Sequence, residues 1–376
     1  MAARCLLTRP RPDVVTGSDP ARRSLALPGP FPLKGGGTLP AVTLAYETWG
    51  PPSRPVLVLC TGLSPSAHAA SGPADPRPGW WEPLIGPGRA LDTDRFRIFC
   101  FNPLGGCFGS TGPAAIDPLT GEVYGSRFPE IAIEDIALSI HRALLGLGIR
   151  QVEAVVGPSL GGLVALALAL RGDLAVGRLA VISAASAAEP FAVAIRSLQR
   201  EILSVHLAQG GDAVRTGMRL ARKLGLLSYR SPVEWRTRFA RRRETDPAAG
   251  AGLPAGSRPP FAVEWYLESR ACDFAERFDP VSYLRLSRAM DEFDAADSGG
   301  GDLERALAGT GLEAVLVAGV TTDLLYPSHQ QEALARGFER AGVPVELRII
   351  DSPSGHDAFL VDWMRFEEPL RKFLES

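Results

Sequence analysis

The pentapeptide Gly157-Pro158-Ser159-Leu160-Gly161 limits what this chain can fold into more than any other feature, because of what flanks it. Before it stands VEAVVG (152–157), a short apolar run of strand type. After it stands LGGLVALALAL (160–170), apolar on every face, as in a buried helix. A serine between the two must ride a sharp strand-to-helix turn, where small neighbours let backbone approach closely. Such a turn lifts the hydroxyl above a sheet and points the first helix amides at any negative charge developing beside it. On its own the pattern also fits a tight turn with an ordinary surface serine, so a partner for Ser159 has to be sought elsewhere.

The surroundings supply a sheet. Apolar runs at 56–60 (VLVLC), 96–101 (FRIFCF), 179–185 (LAVISAA), 314–320 (AVLVAGV) and 345–350 (VELRII) read as buried strands. Between them lie helical patterns, with Ile133, Ile136, Ile140, Leu144 and Leu147 at helical spacing before Gly148, and another over 328–341. Strands alternating with helices imply an α/β fold, a mostly parallel sheet flanked by helices. From 187 to 305 the pattern changes to long helical stretches rich in Arg and Glu, broken by Pro and Gly at 247–260 and 299–301. The expected organisation is an Arg- and Pro-rich arm over 1–30, a first core part over 31–186, a helical lid over 187–305, and a second core part over 306–376.

A serine hydroxyl is a weak nucleophile and needs a base, itself oriented by a carboxylate. His329 falls within the helical stretch SHQQEALARGFERAG and reads as a surface or capping residue. His356 lies in the loop SPSGHDAF just past the strand VELRII, where a base can reach over the sheet edge. The acid candidate is Asp323, in the loop after AVLVAGV, while Asp351 at a strand end reads as a turn cap. Nucleophile, acid and histidine in that chain order are the order of the α/β-hydrolase fold. Its oxyanion hole comes from backbone N–H groups, here those of Leu160 and of Leu63 in the loop after an early strand.

Composition narrows the function further. The 376 residues are 45% hydrophobic and 22% charged, enough for a sizeable core without staples. A net charge of −2 argues against nucleic-acid binding and against broad attraction to acidic membranes, and the Arg run at 241–243 reads as a solvated face. The five cysteines, Cys5, Cys60, Cys100, Cys107 and Cys272, form no CxxC pair or zinc spacing, which suggests reduced structural thiols and no metal site. No apolar run approaches the roughly 18 residues of a membrane span, and the N-terminus has no signal-type apolar core. A cytoplasmic location is expected.

Several stretches resemble the homoserine O-acetyltransferase family of α/β hydrolases over nearly the whole chain. They are LAYETWG (44–50), FNPLGG (101–106), GSTGP (109–113), the elbow VVGPSLGG, ARKLGLLSYRS (221–231), TTDLLYP (321–327) and SGHDAF (354–359). The resemblance implies Ser159, Asp323 and His356 as a triad, a ping-pong acyl transfer from acyl-CoA to an amino-acid hydroxyl, a homodimer joined through the lid, and no bound cofactor. It also implies substrate-binding roles for Arg222, Tyr229 and Asp357. Arg222 suits an α-carboxylate and Asp357 an α-ammonium, against plainer roles as a lid salt bridge and a loop cap.

Within that family the loop Thr61-Gly62-Leu63-Ser64-Pro65 is similar to the serine O-succinyltransferase branch, as are the stretches 78–96, 194–201 and 278–294. The branch implies succinyl-CoA as donor, L-serine as acceptor and a place in cysteine-type sulfur amino-acid biosynthesis. Acetyl-CoA and L-homoserine are the alternatives, and a plain esterase a third. Arg196 is the expected determinant of acyl choice, since a guanidinium can pair with the terminal carboxylate of succinyl, its plainer role being an exposed helical Arg. Gly62, Leu63, Ser64 and Pro65 are the expected determinants of acceptor size, and Arg200 is expected to give structural support. Pro158 departs from the Asn, Gly or Ala common before the nucleophile in the family.

Overall fold

The computed structural model describes residues 20–245 and 257–376. Its centre is an eight-stranded sheet of β1 (Arg23–Ala26), β2 (Thr43–Trp49), β3 (Val56–Cys60), β4 (Arg97–Phe101), β5 (Gln151–Pro158), β6 (Ala175–Ile182), β7 (Ala314–Val320) and β8 (Val345–Ile350). The spatial order is β1-β2-β4-β3-β5-β6-β7-β8, with β1 and β2 antiparallel to their neighbours and the remaining pairs parallel. Parallel strands covered on both faces need apolar side chains on both, and Leu57, Val58, Leu59, Val155, Val156, Leu316 and Val317 are fully buried.

Register sets where the site lies. Leu59 pairs with Val156, Pro158 with Ile182, Ile182 with Ala318 and Val320 with Ile350. The loops carrying Leu63, Ser159, Asp323 and His356 therefore leave the same carboxyl edge of neighbouring strands. In open α/β sheets that edge is where ligands bind.

Two boundaries differ from expectation. Residues 23–26 are not part of an arm: they form β1, with Leu25 opposite Leu44. Four residues among Arg and Pro are too few to show a strand period, and the strand is made by its partner β2. The rest of the expected arm, residues 1–19, lies outside the described residues, as does most of the break at 247–260. The lid itself consists of α3 (Pro190–Gln209), α4 (Asp212–Tyr229), α5 (Pro232–Phe239), α6 (Ala262–Ala275) and α7 (Pro280–Glu292), following α1 (Ile133–Gly146) and α2 (Leu160–Leu170). Its ends meet where Ala187 bridges Asp294 and the Ala295 N–H donates to Ser186 O at 2.8 Å. The insertion thus closes short of 305, and Leu303 and Leu307 pack beside Gly337 of α8 (Ser328–Arg340).

Cys60, Cys100 and Cys107 are free thiols, and burial pushes Cys60 and Cys107 up to about 12. Cys272 is buried on α6. Among the described residues no helix is long and apolar enough to cross a membrane.

Candidate active site

Ser159 sits at φ 56° and ψ −122°, a backbone conformation that non-glycine residues avoid. Its neighbours explain how the strain is held. A Cβ at Gly157 would stand 2.0 Å from Gly161 O, and one at Gly161 would stand 2.3 Å from Cys60 O. Only glycine fits at either place. The Ser159 N–H donates to Ile182 O at 2.9 Å, which pins the turn to β6. Pro158 is accommodated as the last residue of β5.

The hydroxyl so presented donates toward His356 Nε2 at 2.8 Å, and His356 Nδ1 donates to Asp323 Oδ2 at 2.7 Å. Asp323 Oδ1 in turn accepts from the N–H groups of Leu325 and Tyr326 at 2.8 and 3.0 Å, so the carboxylate is fixed at both oxygens. All three side chains are buried. Burial pulls the His356 pKa down, but the charge and hydrogen bond of Asp323, helped by Asp357, outweigh it and raise the pKa above the ordinary value. This arrangement can take a proton from Ser159 and hold the resulting imidazolium beside a carboxylate. Among the described residues neither the Leu63 N–H nor the Leu160 N–H has an acceptor within the protein, so both are open to a developing oxyanion.

Ser159 and His356 line a cavity of about 110 Å³ whose opposite wall is the lid. Gly62, Leu63, Ser64, Pro65, Arg196, Arg222, Tyr229 and Asp357 all face it, so every side chain expected to bind substrate converges there. Asp323 stands behind His356, and Leu160 contributes through its backbone at the start of α2. His329 is elsewhere, exposed and paired with Glu189 at 2.7 Å, and Asp351 accepts from Thr321 Oγ1 at 3.2 Å at its strand end.

Arg196 is not an exposed helical residue: 5% of it is accessible. Its Nε donates to Asp291 Oδ1 at 2.5 Å, Arg200 Nη1 donates to Asp291 Oδ2 at 2.5 Å, and Arg196 Nη2 is buried without a partner. One carboxylate thus serves two guanidiniums. Burial opposes the Arg196 charge, yet Tyr326 and Asp291 raise its pKa, so the group stays cationic. Arg222 has no carboxylate partner among the described residues. It donates to Ser64 Oγ at 3.0 Å, its guanidinium lies 4.3 Å from the Phe274 ring centre and 5.2 Å from that of Tyr229, and its Nε is buried and unpaired. The lid salt bridge that would explain it otherwise is not there. Asp357 pairs with Arg230 Nε at 3.2 Å, and Arg230 is shared with Glu234 at 3.1 Å.

The chain belongs to the α/β-hydrolase fold family. The model of that fold matches residues 55–362. A serine O-succinyltransferase of Litchfieldella anticariensis is 48% identical, covering 94% of this chain and 98% of its own. An L-serine/homoserine O-acetyltransferase of Streptomyces lavendulae is 47% identical, covering 94% and 97%. The crystal structure of homoserine O-acetyltransferase from Bacillus anthracis superposes with a TM-score of 0.83 at 25% identity, covering 94% and 97%. Within the α/β hydrolases the chain therefore falls in the homoserine O-acetyltransferase family, on the side of its serine O-succinyltransferase branch.

Sequence reasoning overlooked Asp291, Trp80, Gln199, Tyr283 and Met290 at or behind the cavity wall. A signal existed for Asp291. Two arginines at i and i+4 on α3, in a helix that must bury one face, call for an acid on the helix packed against them. The others lie in the stretches 78–96, 194–201 and 278–294 that resemble the branch, but nothing in those stretches told which side chains would face the cavity.

Proposed function

We propose that this enzyme transfers a succinyl group from succinyl-CoA to the hydroxyl of L-serine through an ester on Ser159. In the first half-reaction Ser159 Oγ attacks the thioester carbonyl while His356 takes its proton. The Leu63 and Leu160 N–H groups hold the oxyanion, and the CoA sulfur leaves with the proton from His356. In the second, the serine hydroxyl gives its proton to His356 and attacks the Ser159 ester. O-succinylserine leaves and Ser159 regains a proton. Asp323 orients His356 and balances its charge in both. Arg222 takes the α-carboxylate of the acceptor and Asp357 its ammonium, with Tyr229 packed against the Arg222 guanidinium.

The donor rests on one observation. Arg196 Nη2 is buried, charged and without a carboxylate of its own at the cavity wall, beside the Tyr326 hydroxyl and an acid already shared with Arg200. A succinyl carboxylate fills that vacancy and an acetyl group cannot. Relatives at 48% and 47% identity bear succinyl and acetyl names, so similarity alone does not choose. The test is kcat/KM for succinyl-CoA and acetyl-CoA against L-serine and L-homoserine. Succinyl-CoA with L-serine is expected to lead, and Arg196→Ala to lower succinyl transfer by about 10- to 100-fold while sparing acetyl transfer. A preference for acetyl-CoA defeats the succinyl reading, and hydrolysis indifferent to any amino acid makes the protein an esterase.

The same reading takes the enzyme to be a cytoplasmic homodimer that supplies activated serine for cysteine-type biosynthesis. Exposed Phe191, Leu198 and Val205 recur every seven residues on α3, and Leu220 and Leu227 do so on α4. Such a stripe suits packing against its own copy. Light scattering should give twice the chain mass, and a monomer would reject the assembly.

A further inference from the structure

His356 sits on a loop held from two sides, and one of those sides is the lid. From the core, Thr322 Oγ1 donates to Ser352 O at 2.6 Å and accepts the Gly355 N–H at 3.1 Å. From the lid, the short connection between α4 and α5 grips the same loop. Ser231 Oγ donates to Pro353 O and accepts the Glu234 N–H at 3.1 Å. Arg230, buried, pairs with Asp357 at 3.2 Å on the residue after His356. Between those anchors the two backbones touch. Gly355 has φ +66°, and a Cβ there would stand 2.8 Å from Ser231 N and 2.9 Å from Tyr229 O.

We infer that the connection Tyr229–Ser231 is a positioning element for the base, with Ser231 and Arg230 fixing the 353–357 loop so that His356 stays within reach of Ser159. Neither residue faces the reacting atoms. They act through the loop, and they tie the position of the base to that of the lid. The inference rests on the triad chemistry proposed above, but not on the identity of donor or acceptor. Arg230 has a second effect through charge. His356 is faced by Asp323 and Tyr326 from the acid loop, Tyr229 from α4, Arg196 from α3 and Asp357 from its own loop. Asp357 favours the imidazolium, and Arg230 balances part of that carboxylate's charge.

The test uses p-nitrophenyl acetate, an activated ester that needs Ser159 and His356 but no CoA and no amino acid. Full-length Ser231→Ala, Arg230→Met and Arg230→Lys are compared for kcat, KM, the pH dependence of kcat/KM, and melting temperature. Ser231→Ala should lose about 10- to 100-fold in kcat with KM little changed, the cost of a misplaced base. Arg230→Met should move the acid limb upward by about half a pH unit or more, and Arg230→Lys should restore it. A folded Ser231→Ala with normal kcat, together with an acid limb indifferent to residue 230, overturns the inference. Should Arg230→Met fail to fold, Ser231→Ala decides alone: a folded Ser231→Ala with normal kcat then overturns the inference. Succinyl-CoA with L-serine is assayed alongside. Ester hydrolysis without transfer from CoA would defeat the donor reading and leave this one standing.

Discussion

The two walls of the cavity are built on opposite terms. On the core wall every side chain with a chemical task is already engaged, Ser159 with His356, His356 with Asp323 and Asp323 with two backbone amides, and only the oxyanion N–H groups of Leu63 and Leu160 stay open. On the lid wall the groups are left open, with Arg196 Nη2 and Arg222 Nε both buried and unpaired. Among the described residues Asp291 is the single carboxylate bound to Arg196 and Arg200, and Arg222 has none. A buried donor without a partner costs about 1–3 kcal/mol, more when charged. The catalytic side chains of the core wall are thus in place before substrate arrives, while the arginines of the lid wall are completed by it. Apart from the Tyr229–Ser231 connection, by which the lid grips the loop of the base, reactivity and recognition rest on different side chains, and each can be struck without the other.

The largest effect should come from the core wall. Ser159→Ala removes the ester on which both half-reactions depend, and should lower kcat by about 10⁶-fold. The added mass of an acyl group on the protein should vanish with it. Asp323→Asn leaves the shape but offers His356 the wrong partner, for a loss of about 10⁴-fold. If either variant kept most of its rate, the chemistry would not reside on this wall. On the lid wall, Arg222→Met should act on one half-reaction alone. Loss of a buried carboxylate contact, about 2–4 kcal/mol, lowers kcat/KM for the amino acid by about 30- to 1000-fold. Acylation of Ser159 by the donor, followed as a burst of released thiol, should stay near normal. An equal loss in both halves would erase the division between the walls.

The same division governs what could be read from the sequence. The elbow was legible because local geometry demands it: Gly157 and Gly161 are places where a Cβ collides with backbone, and a strand and an apolar helix stand on either side. Asp323 and His356 were legible because each follows a recognisable apolar strand, in the chain order the fold imposes. On the lid wall Arg196 and Arg222 could be found through resemblance, but their state could not. That Arg196 is 5% accessible, shares Asp291 with Arg200 and keeps one free nitrogen depends on α7 packing against α3, across some ninety residues of sequence. The grip of Ser231 on Pro353 was hidden for the same reason, since a serine before a proline at a helix start reads as a cap and nothing more.

The smallest predicted effect concerns the loop that joins the walls. The 61–81 segment offers the Leu63 N–H to the core side and Ser64 to Arg222 on the lid side, and His68 fastens it. His68 Nδ1 lies 2.9 Å from Glu47 Oε2 and Nε2 lies 2.9 Å from Arg77 O. Both partners are acceptors, so both ring nitrogens must donate and the ring is an imidazolium. The hydrogen bond from Glu47 is the largest upward influence; burial opposes it, and the pKa rises from 6.5 to about 9. A raised pKa stabilises the fold fully below the unfolded value and stops doing so as pH climbs through the folded one. Melting temperature should therefore fall as pH is taken from 6.5 to 9, and His68→Asn, starting lower, should show a flatter fall. The difference should be a few degrees at most, because the ring is partly open to solvent. A His68→Asn protein with the same slope would mean that the loop is held by other contacts. Ala67, whose N–H donates to Asn102 Oδ1 at 2.7 Å, would be the anchor to examine. Were the slope to flatten and amino-acid KM to rise together above pH 9, the two walls would prove to be coupled through His68.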